Sequence, residues 1–144
     1  MIKWMDHVGV VVEDLAAATG FFVRLGLELQ DEVPVEGRWV DRVVGLDGVR
    51  ADIAVVQTPD GHGRLELTKF HAPSGQDASR PAPANTPGLR HVAFAVEDMD
   101  AVVAGLRARG TELVGEVVRY EESYKLCYVR GPEGIIVELT EQIS

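Results

Sequence analysis

Residues 7–33 read HVGVVVEDLAAATGFFVRLGLELQDEV, and 84 positions later residues 91–117 read HVAFAVEDMDAVVAGLRARGTELVGEV. The two stretches share 11 identities over 27 positions, where ordinary residue frequencies would give roughly two. Farther along the offset shrinks: Pro59 and Gly61 meet Pro132 and Gly134 at 73, and Glu66-Leu67-Thr68 meets Glu138-Leu139-Thr140 at 72. A half-domain has been duplicated, and its first copy carries about a dozen extra residues, placed between Val35 and Gly48.

Each copy reads as β-α-β-β-β. Residues 5–12 and 89–96 are runs of β-branched and small apolar residues, expected as strands. Asp14 and Asp98 stand where helix N-caps belong. Behind them Leu15, Ala18, Phe22 and Leu25, and in the second copy Met99, Val102, Val103 and Leu106, keep helical spacing. Gly26 and Gly110 mark the helix ends. Three further strands are expected in each copy, near 28–34, 50–57 and 63–70, then 112–118, 124–130 and 134–141. Pro59-Asp60-Gly61 and Pro132-Glu133-Gly134 read as turns. The chain therefore divides into a first module (1–70), a proline-rich linker (71–88) and a second module (89–144), expected to make one domain together.

Side chains alternate faces along a strand. Val8, Val10 and Val12, with Val92, Phe94 and Val96, form one apolar face, which must pack on the amphipathic helices. The other face carries His7 and His91 beside Gly9, Ala93 and Ala95. In the last strands Leu65, Leu67, Val137 and Leu139 fall on the apolar side, whereas Glu66, Thr68, Ile136, Glu138 and Thr140 fall opposite. Polar groups aimed into a concave sheet are costly unless they are satisfied. A lone His on a strand is more often structural than a ligand. Here, however, His and Glu recur at equivalent places in both copies, and one divalent cation would satisfy all four.

Composition narrows the rest. The 144 residues hold 14 Lys+Arg against 23 Asp+Glu, a formal charge of −9, which speaks against nucleic acid and anionic membranes as partners. No apolar run approaches the ~20 residues of a membrane helix. No signal-peptide pattern opens the chain, so a cytoplasmic location is expected. Cys127 has no disulfide partner and reads as a small buried hydrophobe. His62 and His71 are expected to face solvent.

These residues resemble the vicinal oxygen chelate superfamily, which includes lactoylglutathione lyases, methylmalonyl-CoA epimerases, extradiol dioxygenases, and fosfomycin and bleomycin resistance proteins. The opening DHVGVVVEDL, the second-copy LRHVAFAVEDM and the closing GPEGIIVEL carry the likeness. It implies an α+β fold of two tandem βαβββ modules, their strands forming a cup-shaped eight-stranded mixed sheet with helices on the outer face. Carried over position by position, it puts metal ligands at His7, Glu66, His91 and Glu138. An acid in both modules looks most like the lyase and epimerase branches, although epimerases usually have Gln at the position of Glu66. The resemblance also departs at Phe22, where many members have Tyr, and in the closing turn from Arg130 to Gly134.

The resemblance implies one divalent ion (Ni, Co, Zn, Mn or Fe(II)) and proton transfer next to a carbonyl of a small chelating substrate. Glu138 is the first candidate base and Glu66 the second. The alternatives are an Fe(II) extradiol-type dioxygenase and a metal-free, drug-binding protein of the bleomycin-resistance type. Arg38, Trp39, Tyr124 and Tyr128 are candidate substrate contacts. A homodimer is the expected assembly.

Overall fold

The computed structural model describes residues 1–75 and 81–144, so the middle of the expected linker lies outside the described residues. The chain forms two compact units, Met1–Asp77 and Ala78–Ser144.

In the first unit the strands β1 (Val8–Val11), β2 (Glu28–Glu36), β3 (Arg50–Gln57) and β4 (Arg64–Ala72) form a mixed sheet ordered β1-β4-β3-β2. β1 runs parallel to β4, and the other neighbours are antiparallel. The parallel pair needs a crossover, and helix α1 (Leu15–Leu25) supplies it. Asp14 caps α1 by accepting from the Ala17 N–H at 2.9 Å. Gly26 ends it at φ 128°, a conformation that L side chains rarely adopt. Ala18 and Phe22 on α1 are fully buried, as are Ala54, Val56 and Leu67 on the sheet.

The second unit repeats the topology. Strands β5 (His91–Ala95), β6 (Val118–Tyr120), β7 (Tyr124–Arg130) and β8 (Ile136–Gln142) are ordered β5-β8-β7-β6. Helix α3 (Met99–Ala108) crosses between the parallel strands β5 and β8. Even single hydrogen bonds are duplicated: the Val12 N–H donates to the Thr68 carbonyl, and the Val96 N–H to that of Thr140. The core comprises Met99, Val103 and Leu106 on α3 and Cys127, Val129, Val137 and Leu139 on the sheet.

The α+β class and the eight mixed strands are as the sequence implies, present as two sheets of four. Three details differ. The extra segment of the first module is a third helix, α2 (Arg38–Val44), rather than a plain loop. It is seven residues long and begins at Gly37 with no side-chain cap, too short to show a helical period. Tertiary anchors hold it. Val40 is buried with Val49 and Ala51, and the Asp41 carboxylate accepts from the Gly48 and Val49 N–H groups at 3.0 and 2.8 Å.

Second, the strand expected at 112–118 is reduced to a single bridge between Leu113 and Val129, and β6 starts only at Val118. Third, β8 starts only at Ile136, after the expected turn at Pro132–Gly134, and β4 takes in the first two residues assigned to the linker.

Candidate functional site

His7 immediately precedes β1, and the register sets Gly9, two residues on, beside Glu66 of β4. In the second unit His91 opens β5 and Ala93 lies beside Glu138 of β8. Strand alternation places each His on the same face as its Glu. The pairs close accordingly: His7 Nε2 is 3.1 Å from Glu66 Oε2, and His91 Nε2 is 3.4 Å from Glu138 Oε1. The side chains are half-exposed, at 32% for Glu66 and 21% for Glu138. A Cβ added at Gly9 would meet nothing within 4 Å, so the face beside His7 is open.

The structure thus gathers the four expected ligands as two His–Glu pairs. Among the described residues, no group of three or more His, Cys, Asp or Glu side chains forms an ion-holding cluster.

The chemistry of the His7 pair fits a cation. A carboxylate can only accept hydrogen bonds, and a neutral imidazole carries one N–H. His7 Nδ1 lies 2.7 Å from Asp6 Oδ2 and His7 Nε2 lies 3.1 Å from Glu66 Oε2, so a single N–H cannot serve both carboxylates. The contact left without that N–H needs a second proton or a metal ion to hold it. Imidazole nitrogen with carboxylate oxygen suits borderline and hard divalent ions such as Mn, Fe, Co, Ni or Zn.

Asp6 and Arg64 escaped the sequence reading. Arg64 Nη2 donates to Asp6 Oδ1 at 3.0 Å, and the His7 hydrogen bond, with the Arg64 charge beside it, holds the Asp6 carboxyl below its ordinary range. The available signal was spacing: Asp6 adjoins His7, and Arg64 stands two residues before Glu66 on the same strand face.

Tyr128 lies directly across from Glu138 in the β7–β8 ladder. Its hydroxyl is 3.4 Å from His91 Nδ1 and the two rings are 5.0 Å apart, so it belongs to the His91 pair. Tyr124 shares that strand face, four residues away and exposed. Arg38 and Trp39 sit on α2, which packs on β2 at the sheet edge opposite β1. Neither is a hydrogen-bond or ion-pair partner of His7 or Glu66.

Of the remaining candidates, His71 Nε2 pairs with Asp52 at 2.8 Å and is exposed. His62 sits in the Thr58–Gly63 turn, its backbone N–H held by Asp60. Burial pushes the Cys127 thiol up, so it is no ready nucleophile. No helix among the described residues is long and apolar enough to cross a membrane.

A model of the glyoxalase/bleomycin resistance protein/dioxygenase superfamily matches residues 4–139. A glyoxalase family protein of Bacillus cereus, known from its crystal structure, is 47% identical. The match covers 100% of this chain and 97% of that one, with a TM-score of 0.96. The uncharacterized Escherichia coli protein YaeR is 31% identical over 98% of both chains. Glyoxalase I of Leishmania major is 20% identical and covers 97% of this chain and 87% of its own, with a TM-score of 0.68. At that identity the likeness is one of fold.

Proposed function

The chain belongs to the glyoxalase/bleomycin resistance protein/dioxygenase superfamily, and on that premise we propose that it is a divalent-metal-dependent lyase, isomerase or epimerase. Its reaction is proton transfer next to the carbonyl of a small chelating substrate. The observation that carries this reading is the pair of His–Glu contacts, each setting an imidazole Nε2 against a carboxylate oxygen. The residues that would hold the ion are His7, Glu66, His91 and Glu138. When bound there, the ion supplies Lewis-acid polarisation of the substrate carbonyl, which acidifies the neighbouring carbon.

The chain's own groups do the proton work. Glu138, the more enclosed carboxylate, takes the proton from the carbon, because a base must lie within hydrogen-bond reach of the proton it removes. Glu66 is the second proton carrier. Two carriers allow the proton to return in a new position or on the opposite face, which gives isomerisation or epimerisation. Gly9, Ala93 and Ala95 leave room on the site face, and Tyr124 and Tyr128 border the second pair. A small-molecule substrate, a homodimer and a cytoplasmic location belong to the same reading.

Elemental analysis and solvent-deuterium exchange test it. Protein reconstituted with Ni²⁺, Co²⁺, Mn²⁺ or Zn²⁺ is expected to retain about one ion per chain. With a panel of α-hydroxycarbonyl compounds and thiohemiacetals, it is expected to exchange the α-hydrogen with solvent. Glu138→Gln is expected to abolish the exchange. Retention below about a tenth of an equivalent after reconstitution would overturn the metal-dependent reading. Exchange undiminished in Glu138→Gln would remove Glu138 as the base. Oxygen uptake with a catechol in the Fe(II)-loaded protein would instead favour a ring-cleaving dioxygenase.

A further inference from the structure

The two His–Glu pairs descend from one ancestral pair, yet their outer supports differ. His7 Nδ1 lies 2.7 Å from Asp6 Oδ2, and Asp6 Oδ1 accepts from Arg64 at 3.0 Å. A line of Arg64, Asp6, His7 and Glu66 results, with both ring nitrogens of His7 engaged. The duplication places Arg90 where the first copy has Asp6, and Ile136 where it has Arg64. A guanidinium offers donors only, so Arg90 cannot accept from His91. Tyr128 stands at the second ring instead, its hydroxyl 3.4 Å from Nδ1, at a position where the first copy has Val55.

We infer that Asp6, oriented by Arg64, is a positioning residue for His7, fixing the proton on Nδ1 so that the Nε2 lone pair is presented beside Glu66. It acts through His7 and touches no reacting atom. An imidazole whose far nitrogen is bound by a carboxylate is a stronger and better-oriented ligand than one beside a neutral phenol. The His7–Glu66 pair, backed by Asp6, is therefore the tighter of the two proposed ligand pairs, and the His91–Glu138 pair the more labile one. The link to an ion rests on the proposed function, whereas the tautomer does not.

Two measurements on the folded full chain separate those claims. In metal-free protein at about pH 9, above the ordinary imidazole range, long-range ¹H–¹⁵N correlation reads which ring nitrogen of His7 carries the proton. The shorter contact, 2.7 Å against 3.1 Å, favours Nδ1–H in the wild type. In Asp6→Ala the proton is expected to move to Nε2, where Glu66 accepts it. His7 showing Nε2–H in the wild type, or unchanged by Asp6→Ala, would overturn the inference whether or not any ion binds.

In the second measurement, Ni²⁺ or Co²⁺ affinity is read by competition with a chromophoric chelator. Asp6→Ala is expected to weaken binding about 10- to 100-fold, with Asp6→Asn between the two and Tyr128→Phe weakening it less than Asp6→Ala. Asp6→Ala within about threefold of wild type would overturn the claim that it strengthens the ligand. A wild type with no affinity for either ion would sink the metal reading alone, and the tautomer spectrum would still decide the role of Asp6.

Discussion

The two units share a topology, a helix crossover and a His–Glu pair, but they secure the crossover helices with opposite charges at one equivalent position. In the second unit Glu141 on β8 reaches the start of α3, accepting from the Asp98 and Met99 N–H groups at 3.0 Å each. In the first unit the corresponding residue is Lys69, which binds the Glu13 carboxylate ahead of α1 at 2.6 Å. The free N–H groups of a helix start need acceptors and attract negative charge. Glu141 meets that need directly. Lys69 cannot, so α1 depends more on its own cap, Asp14. The duplication preserved the demand and let the solutions diverge.

Substitutions test how far the two units are alike. The largest expected effect tests what the halves share: Phe22→Ala on α1 is expected to cost about 3–5 kcal/mol, and Leu106→Ala on α3 about 2–5 kcal/mol, in denaturant unfolding. Both side chains are essentially inaccessible to solvent. A cost below about 1 kcal/mol for either would deny that helix a place over its core.

Next comes what only the first unit possesses. Asp41→Ala removes two hydrogen bonds to the backbone after α2 and is expected to cost about 1–2 kcal/mol, read as a lower thermal midpoint. An unchanged midpoint would mean that Val40 and its apolar neighbours hold α2 unaided.

The smallest effects concern the caps. Asp14→Ala is expected to destabilise by about 1 kcal/mol. Asp98→Gly is expected to lie within a few tenths of wild type, because Glu141 still serves the helix start and glycine relieves a left-handed backbone, here at φ 51°. Equal losses in the two variants would erase the asymmetry drawn between Lys69 and Glu141.

Much of this was legible along the chain. The 84-residue offset exposed the duplication, and the period-two alternation separated His7, Glu66, His91 and Glu138 from the valines and leucines of the core. The caps Asp14 and Asp98 were readable because their chemistry is local. Helix α2 was not, since its hold comes from Asp41 reaching Gly48 and Val49 and from Val40 burying against Val49 and Ala51. Arg64 was hidden for a similar reason: its spacing from Glu66 marks the strand face, but it meets Asp6 across 58 positions of sequence.

The repeated βαβββ order, the face on which each His and Glu lies, and the family follow from the amino-acid order, because hydrophobic periodicity and duplication are properties of a linear string. The fold settled which distant residues support each imidazole. That depends on strand register: the parallel β1–β4 pairing brings Arg64 and Glu66 alongside Asp6 and His7, and the β7–β8 ladder sets Tyr128 across from Glu138 and within reach of His91. The bonds of Arg64 to Asp6 at 3.0 Å and of Tyr128 to His91 at 3.4 Å are fixed by where strands meet in space.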